Sequence, residues 1–371
     1  MKKILCLILC VVLSLTVLVG CSKGEIGDYI HKYEDNKQTE IKLTLNMYIV
    51  VGEGTTENAK TTIKQIINQH TTSTYNTSVV LNFVNADEYE STVNSALSLT
   101  GNNAPHIILI TNKAMLDGLV AANQVVDLVP YLGQKAYQKL NTQIASSLLT
   151  SARDEGGKLY ALPNSHIVGG DTGYKYLVYD LDVVEKMLWY GRDEIAQYNS
   201  LEDASELIGE INALVESGAI PAYTSENIAG VTDYVCEVRG PYELKEQLEA
   251  ANKFCQIVEY PTATAEDAFA GAFAIVNNEN NIYEERAMRI LHAINADSEL
   301  RNTLQYGVMG TNYHLDSNGN VVRVSEGNNV YHMDLRYTGD VFKALYCEEL
   351  GWTKEAFDNG VKQNSQSVSA K

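Results

Sequence analysis

Basic side chains and cysteine are scarce in this sequence, and the short motifs of common catalytic chemistry are missing. Lysine and arginine number 28 against 47 acidic residues, for a formal charge of −19. That balance argues against a nucleic-acid partner and against resting flat on an anionic bilayer. Of the six cysteines, Cys6 and Cys10 lie in an apolar N-terminal run. The other four, Cys21, Cys236, Cys255 and Cys347, show no metal-ligand or redox spacing, so neither a metal nor a cofactor is expected. There is no Gly-x-Ser-x-Gly elbow, no His-Glu-x-x-His and no phosphate loop. A glycosidase would need two carboxylates at fixed separation, and nothing in the sequence pairs Glu53 or Asp171 with a partner. Binding is therefore expected rather than catalysis. Phenylalanine and tryptophan are few, six and two, beside 23 tyrosines, so most rings carry a polar tip suited to half-wet surfaces.

The N-terminus has the layout of a secretory signal peptide. Lys2 and Lys3 precede an uncharged apolar stretch from Ile4 to Val19, and the composition turns polar after Gly20. At ~1.5 Å per residue that stretch reaches ~24 Å as a helix, short of a ~30 Å hydrocarbon core. Leu18-Val19-Gly20-Cys21 resembles the bacterial lipobox, which implies a lipidated Cys21 and anchoring by acyl chains on the extracytoplasmic face of the cell membrane. Removing residues 1–20 takes away two lysines, leaving 26 basic residues against 47 acidic and a charge near −21. The remaining 351 residues exceed one typical core, so two lobes are expected. Residues 21–40 read as a polar tether.

From Ile41 the pattern alternates strand and helix. Residues 41–48 alternate with period two, Thr55 or Thr56 can cap a helix carrying Ile63, Ile66, Ile67 and His70, and Val79–Val84 is a β-branched strand. His106–Ile110 is apolar throughout, as in a strand buried on both faces of a parallel sheet. A second α/β unit follows, with strands at Tyr174–Tyr179, Tyr234–Val238 and Gln256–Tyr260 and helices over Leu201–Ser217 and Tyr242–Phe254. Phe269–Val276 reads as a further strand and Glu284–Asn295 as a helix. Tyr313–Val324 reads as a hairpin whose Asn318-Gly319 suits a type I′ turn. The Gln- and Ser-rich tail from Gln363 is expected to fray. No internal repeat is evident.

Several segments, in order, are similar to the carbohydrate-type extracellular solute-binding proteins of ABC importers. They are Ala104–Ile110, Val126–Leu132, Gly157–Pro163, Tyr176–Asp182, Arg286–Ile290 with Asp297–Leu300, and Leu304–Tyr313. The resemblance implies a type II periplasmic-binding-protein-like α/β fold, two lobes joined by crossing hinge strands. The implied division is 41–165 with 277–310 for the first lobe and 166–276 with 311–371 for the second. It further implies a solute, a sugar or oligosaccharide, held in the inter-lobe cleft and delivered to permease subunits. The alternative is a two-lobed surface lipoprotein acting as a receptor or regulatory partner without transport. Where the branch usually has an acidic residue this chain has Met309, and the second lobe looks short between Asp182 and Val238.

A sugar presents hydroxyls and a C–H face, so amides, carboxylates and aromatic rings are the side chains to seek. The candidates are Tyr48 and Glu53 after the first strand, Asn112 past the buried strand, and Asn164, His166 and Asp171 in the crossing region. Tyr306, Asn312 and Tyr313 complete the set. For Cys236 and Cys255 a disulfide is open, with free buried thiols the expectation.

Overall fold

Strand β1 (Leu43–Val51), helix α1 (Glu57–Tyr75), strand β2 (Thr77–Asn85), helix α2 (Tyr89–Ala96), strand β3 (Pro105–Ile110) and helix α3 (Lys113–Ala121) open the chain, with β1, α1, β2 and β3 in the order that the periodicity predicts. The computed structural model describes residues 41–224, 228 and 230–371; the expected signal peptide, tether and Cys21 lie outside the described residues. Helix α4 (Ser146–Ser151) and the short strand β4 (Leu162–Pro163) lead to β5 (Tyr174–Asp180), α5 (Ser205–Glu216), β6 (Val235–Gly240), α6 (Leu244–Ala250) and β7 (Lys253–Glu259). The chain then forms β8 (Thr262–Ala263), α7 (Ala265–Phe269), β9 (Ala272–Ile275), α8 (Asn281–Ala296) and α9 (Ser298–Tyr306). It ends with β10 (Tyr313–Leu315), β11 (Val321–Arg323), α10 (Lys354–Gln366) and β12 (Val368–Ser369).

The first lobe is built on a sheet in the order β2-β1-β3-β9-β4. Strand β1 runs parallel to β2 from Leu43↔Thr77 to Val51↔Asn85 and parallel to β3, while β9 is antiparallel to β3 and β4. As expected, β3 is buried along its whole length. The alternation read in β1 does not carry through to burial. Leu45–Met47 and Ile49–Val51 are all buried, because β1 is central and both α2 and α8 pack on it. Thr56 caps α1 by accepting the Ala59 N–H, and Ile63 and Ile67 turn into the core.

The second lobe carries the sheet β6-β5-β7. The expected strand–helix–strand at 234–260 is present, but β6 and β7 do not pair with each other; each is antiparallel to β5 between them. Period two holds along β5. Leu177 and Tyr179 face a cluster with Leu207 and Ile211, while Tyr174, Tyr176 and Val178 face Val238, Leu244 and Leu248. Cys236 and Cys255 lie on the latter side as buried free thiols, and Cys347 is likewise free and buried.

Packing redraws several sequence boundaries. The expected strand 269–276 is the end of α7 followed by β9, and β9 belongs to the first sheet, so the chain returns to that lobe before residue 277. Tyr331 and Met333, assigned above to the second lobe, lie in the core of the first. The hairpin β10–β11 forms in the expected place, but its turn is not type I′. That geometry needs positive φ at both central residues; Gly319 has it (φ +82°) and Asn318 does not. Instead Asp316 organises the loop, its carboxylate accepting the N–H groups of Asn318 and Asn320. The tail does not fray. Helix α10 runs through Gln363, and β12 pairs in parallel with β8. Ser367 and Ser369 hydroxyls lie 2.6 and 2.7 Å from those of Ser147 and Ser151 on α4. Among the described residues no helix is long and apolar enough to cross a membrane.

Candidate functional site

The chain crosses between lobes at 164–173, and side-chain amides hold that crossing. Asn364 accepts the Val168 N–H at Oδ1 (2.9 Å) and donates to the His166 carbonyl (2.7 Å). Gln363 donates to the carbonyls of Val168 (2.7 Å) and Gly170 (2.8 Å). Two amides of α10 thus supply what a neighbouring strand would, and buried backbone groups are left satisfied. Gly169 and Gly170 take positive φ (+75° and +54°), and a Cβ on Gly173 would stand 2.9 Å from the Gln363 amide nitrogen. Upstream, the Asn164 N–H donates to Gly271 O (2.9 Å) and its Nδ2 to Arg336 O (2.6 Å).

Beside this crossing lies a cavity of about 570 Å³, walled by His166, Asp267, Arg323, Asp334, Arg336 and Trp352. It draws on the crossing, on α7, on β11 and on the stretches 333–336 and 349–352 that precede α10. Two other cavities, of about 300 and 290 Å³, lie elsewhere. The polar wall is held from behind by α9. Arg301, fully buried, donates to the carbonyls of Asp340 (3.1 Å) and Leu335 (3.0 Å), and burial brings its pKa down to about 10. Gln305 donates to Met333 O (2.8 Å) and receives the Thr338 hydroxyl. These bonds fix the segment that carries Asp334 and Arg336.

Charges on the wall are matched in pairs. Arg336 grips Asp334 with two parallel bonds, Nε to Oδ1 at 3.1 Å and Nη2 to Oδ2 at 2.9 Å. That fork holds the Asp334 carboxyl below its ordinary range against the opposing effect of burial, which is the largest single influence on it. Arg323 Nε stands 3.7 Å from the Glu349 carboxylate, and the guanidinium lies 5.3 Å from the Tyr306 ring centroid. Asp267 closes a capping box with Thr264 at the start of α7. His166 Nδ1 is 3.1 Å from the Asn164 carbonyl, and burial lowers the imidazole pKa.

The residues proposed from sequence divide into groups. Tyr48 is half-buried against the first core, its carbonyl accepting the Tyr89 hydroxyl (3.0 Å), and Glu53 is exposed on the loop after β1. Asn112 caps α3, accepting the Met115 N–H (2.8 Å) and donating to Glu90 (2.7 Å). Asn164 and His166 sit together in the crossing; the Asp171 side chain lies outside the described residues. Tyr306, Asn312 and Tyr313 form one buried cluster. Tyr306 donates to Leu345 O (2.6 Å) with Tyr313 at 5.7 Å between ring centroids. Asn312 accepts the Val308 N–H (2.9 Å) and donates to Asn329 O (2.8 Å). Of the candidates with described side chains, His166 alone lines the large cavity. Asp334, Arg336 and Trp352 were not anticipated. The trace they leave is Met333-Asp334-Leu335-Arg336, charges alternating with apolar residues in a stretch that fits no regular element, and one of only two tryptophans.

No family model matches the sequence, and no curated protein does. Among solved structures, the N-glycan transport solute-binding protein NgtS of Streptococcus pneumoniae is similar, in complex with Man1GlcNAc, at TM-score 0.50 and 16% identity over 89% of this chain and 84% of that one. Its complex with Man5GlcNAc gives the same figures, and a further NgtS structure gives 15% identity at the same TM-score. The chain has the fold of the bacterial solute-binding proteins. The 164–173 segment runs from β4 of the first sheet to β5 of the second, and the cavity lies beside it. Inter-lobe clefts are favoured ligand sites.

Proposed function

We propose that this protein is a lipid-anchored extracytoplasmic solute-binding protein that captures a sugar or oligosaccharide and delivers it to an ABC importer without changing it chemically. The observation that carries the reading is a polar cavity of about 570 Å³ at the lobe crossing of a solute-binding-protein fold, with a tryptophan among charged hydrogen-bonding groups. Trp352 supplies a face for sugar C–H groups, and His166, Asp334 and Arg336 address hydroxyls. Tyr306, Asn312 and Tyr313 serve from behind, seating Arg323. The engagement of Asp334 by Arg336 and of Asp267 in its capping box leaves neither poised as a general acid, which favours capture over glycoside cleavage. Ligand contacting both lobes stabilises the closed form, and that form is what permease subunits read.

A thermal-shift screen of the purified protein against neutral sugars and oligosaccharides, Man1GlcNAc among them, tests capture, since binding to the native state raises the melting temperature. The expected result is a rise with at least one carbohydrate, recovered unaltered. No shift with any of them, or recovery of a cleaved product, removes the reading. The anchor is tested separately by metabolic labelling with a fatty-acid probe. Label is expected on the wild type and absent from Cys21→Ser; label persisting in the variant defeats that part.

A further inference from the structure

The orientation of His166 deepens the proposed function, and rests on it. A backbone carbonyl can only accept, so the 3.1 Å contact to Asn164 O puts the imidazole hydrogen on Nδ1. The residue is 8% exposed and borders the cavity, and among the described residues Nε2 has no partner. Nε2 is therefore a lone-pair acceptor held by a ring that cannot turn without giving up its bond to Asn164. The surrounding charges are partly matched, with Arg323 Nε left without a hydrogen bond among the described residues. Arg336 is forked onto Asp334, and Arg323 faces Glu349 and stacks on Tyr306. With Asp267 added, the wall carries three carboxylates against two guanidinium groups.

We propose that the cavity selects an uncharged polyhydroxyl ligand by accepting a hydroxyl hydrogen at His166 Nε2, and that it rejects acidic or phosphorylated counterparts. An anion would meet a lone pair and a wall that carries one more carboxylate than guanidinium, with Arg336 forked onto Asp334. A hydroxyl, by contrast, donates to Nε2. The groups facing His166 are Asp267 from α7 and Asp334 and Arg336 from the strapped segment. Burial outweighs the two carboxylates among them and keeps the ring neutral at neutral pH.

The experiment has two arms on the purified protein. Nitrogen-15 imidazole spectra, assigned with His166→Asn, are expected to show the Nδ1–H tautomer at neutral pH; an Nε2–H tautomer or an imidazolium overturns the proposal. Calorimetry then compares a neutral sugar from the screen with its phosphorylated form. The neutral sugar is expected to bind at least tenfold more tightly. His166→Asn keeps the donation to Asn164 but has no acceptor at Nε2, and should weaken binding about tenfold, one hydrogen bond's worth. His166→Gln restores an acceptor near that position and should recover most of the loss. Equal binding of the phosphorylated sugar, or equal affinity in His166→Asn, sinks this inference while leaving sugar capture standing. No binding by any sugar sinks both.

Discussion

Asn364 and His70 show how much one side chain does here. Replacing Asn364 with alanine leaves the Val168 N–H and the His166 carbonyl buried and unpartnered. A cost of about 2–4 kcal/mol is expected, because two orphaned backbone groups cost more than a lost bond. Urea denaturation measures it, and a change under ~0.5 kcal/mol would show that the amide is dispensable. His70 bridges α1 to the start of α9: its Nε2 is 2.8 Å from Asp297, which also accepts the Tyr75 hydroxyl at 2.8 Å. The carboxylate raises the imidazole pKa above its ordinary value, chiefly by that hydrogen bond. The folded protein therefore holds this proton more tightly than the unfolded chain. The contribution is full below the ordinary histidine pKa of about 6.5 and is lost as pH rises through the higher folded value. Wild type should out-melt His70→Phe by several degrees near pH 5.5, with the gap closing toward pH 9 (about one proton's linkage). A gap independent of pH would mean the ring acts by packing alone. Tyr306 belongs to the same class of residue. Its ring has no exposed surface, so Tyr306→Ala should cost about 3–5 kcal/mol of stability, read by the same denaturation.

At the scale of elements, what was legible in the sequence is what short-range patterning dictates. Helix α1 with its Thr56 cap, the buried run of β3, the period of β5 and the hairpin at 313–324 all follow from spacing and capping chemistry. What escaped depends on partners far along the chain. Nothing local in Gln363-Asn364 announces that both amides are spent on the 166–170 backbone, so a polar tail reads as loose when its helix holds the crossing. The same holds for the site. His166 was found because it follows a recognisable strand, whereas Asp334 and Arg336 reach the cavity only because Arg301 and Gln305 strap their segment to α9. Deleting residues 367–371 removes β12 and both serine pairs to α4. The expected outcome is faster proteolysis within 164–173 and a lower melting temperature. Unchanged cleavage there would show that α10 alone secures the crossing.

Across the whole molecule, the hinge and the cavity share parts. Gly169 and Gly170 take positive φ in the crossing, while His166, a few residues before them, borders the cavity and is tied through Asn164 to the strapped segment. In the proposed function, ligand at the cavity acts on the crossing that joins the two sheets. Small-angle scattering with a bound sugar should show a smaller radius of gyration than without; an unchanged radius would separate capture from closure. The contact between Thr55 and His332, 277 residues apart, has a further consequence. The first lobe is threaded with its own distant C-terminal stretch, and β12 pairs with β8 across about a hundred intervening residues. Closing so long a loop makes assembly slow, since the entropy is surrendered before the contacts reward it. A nascent chain can close the contiguous second sheet early, but its first lobe stays incomplete until residues 331–333 and β12 have been made.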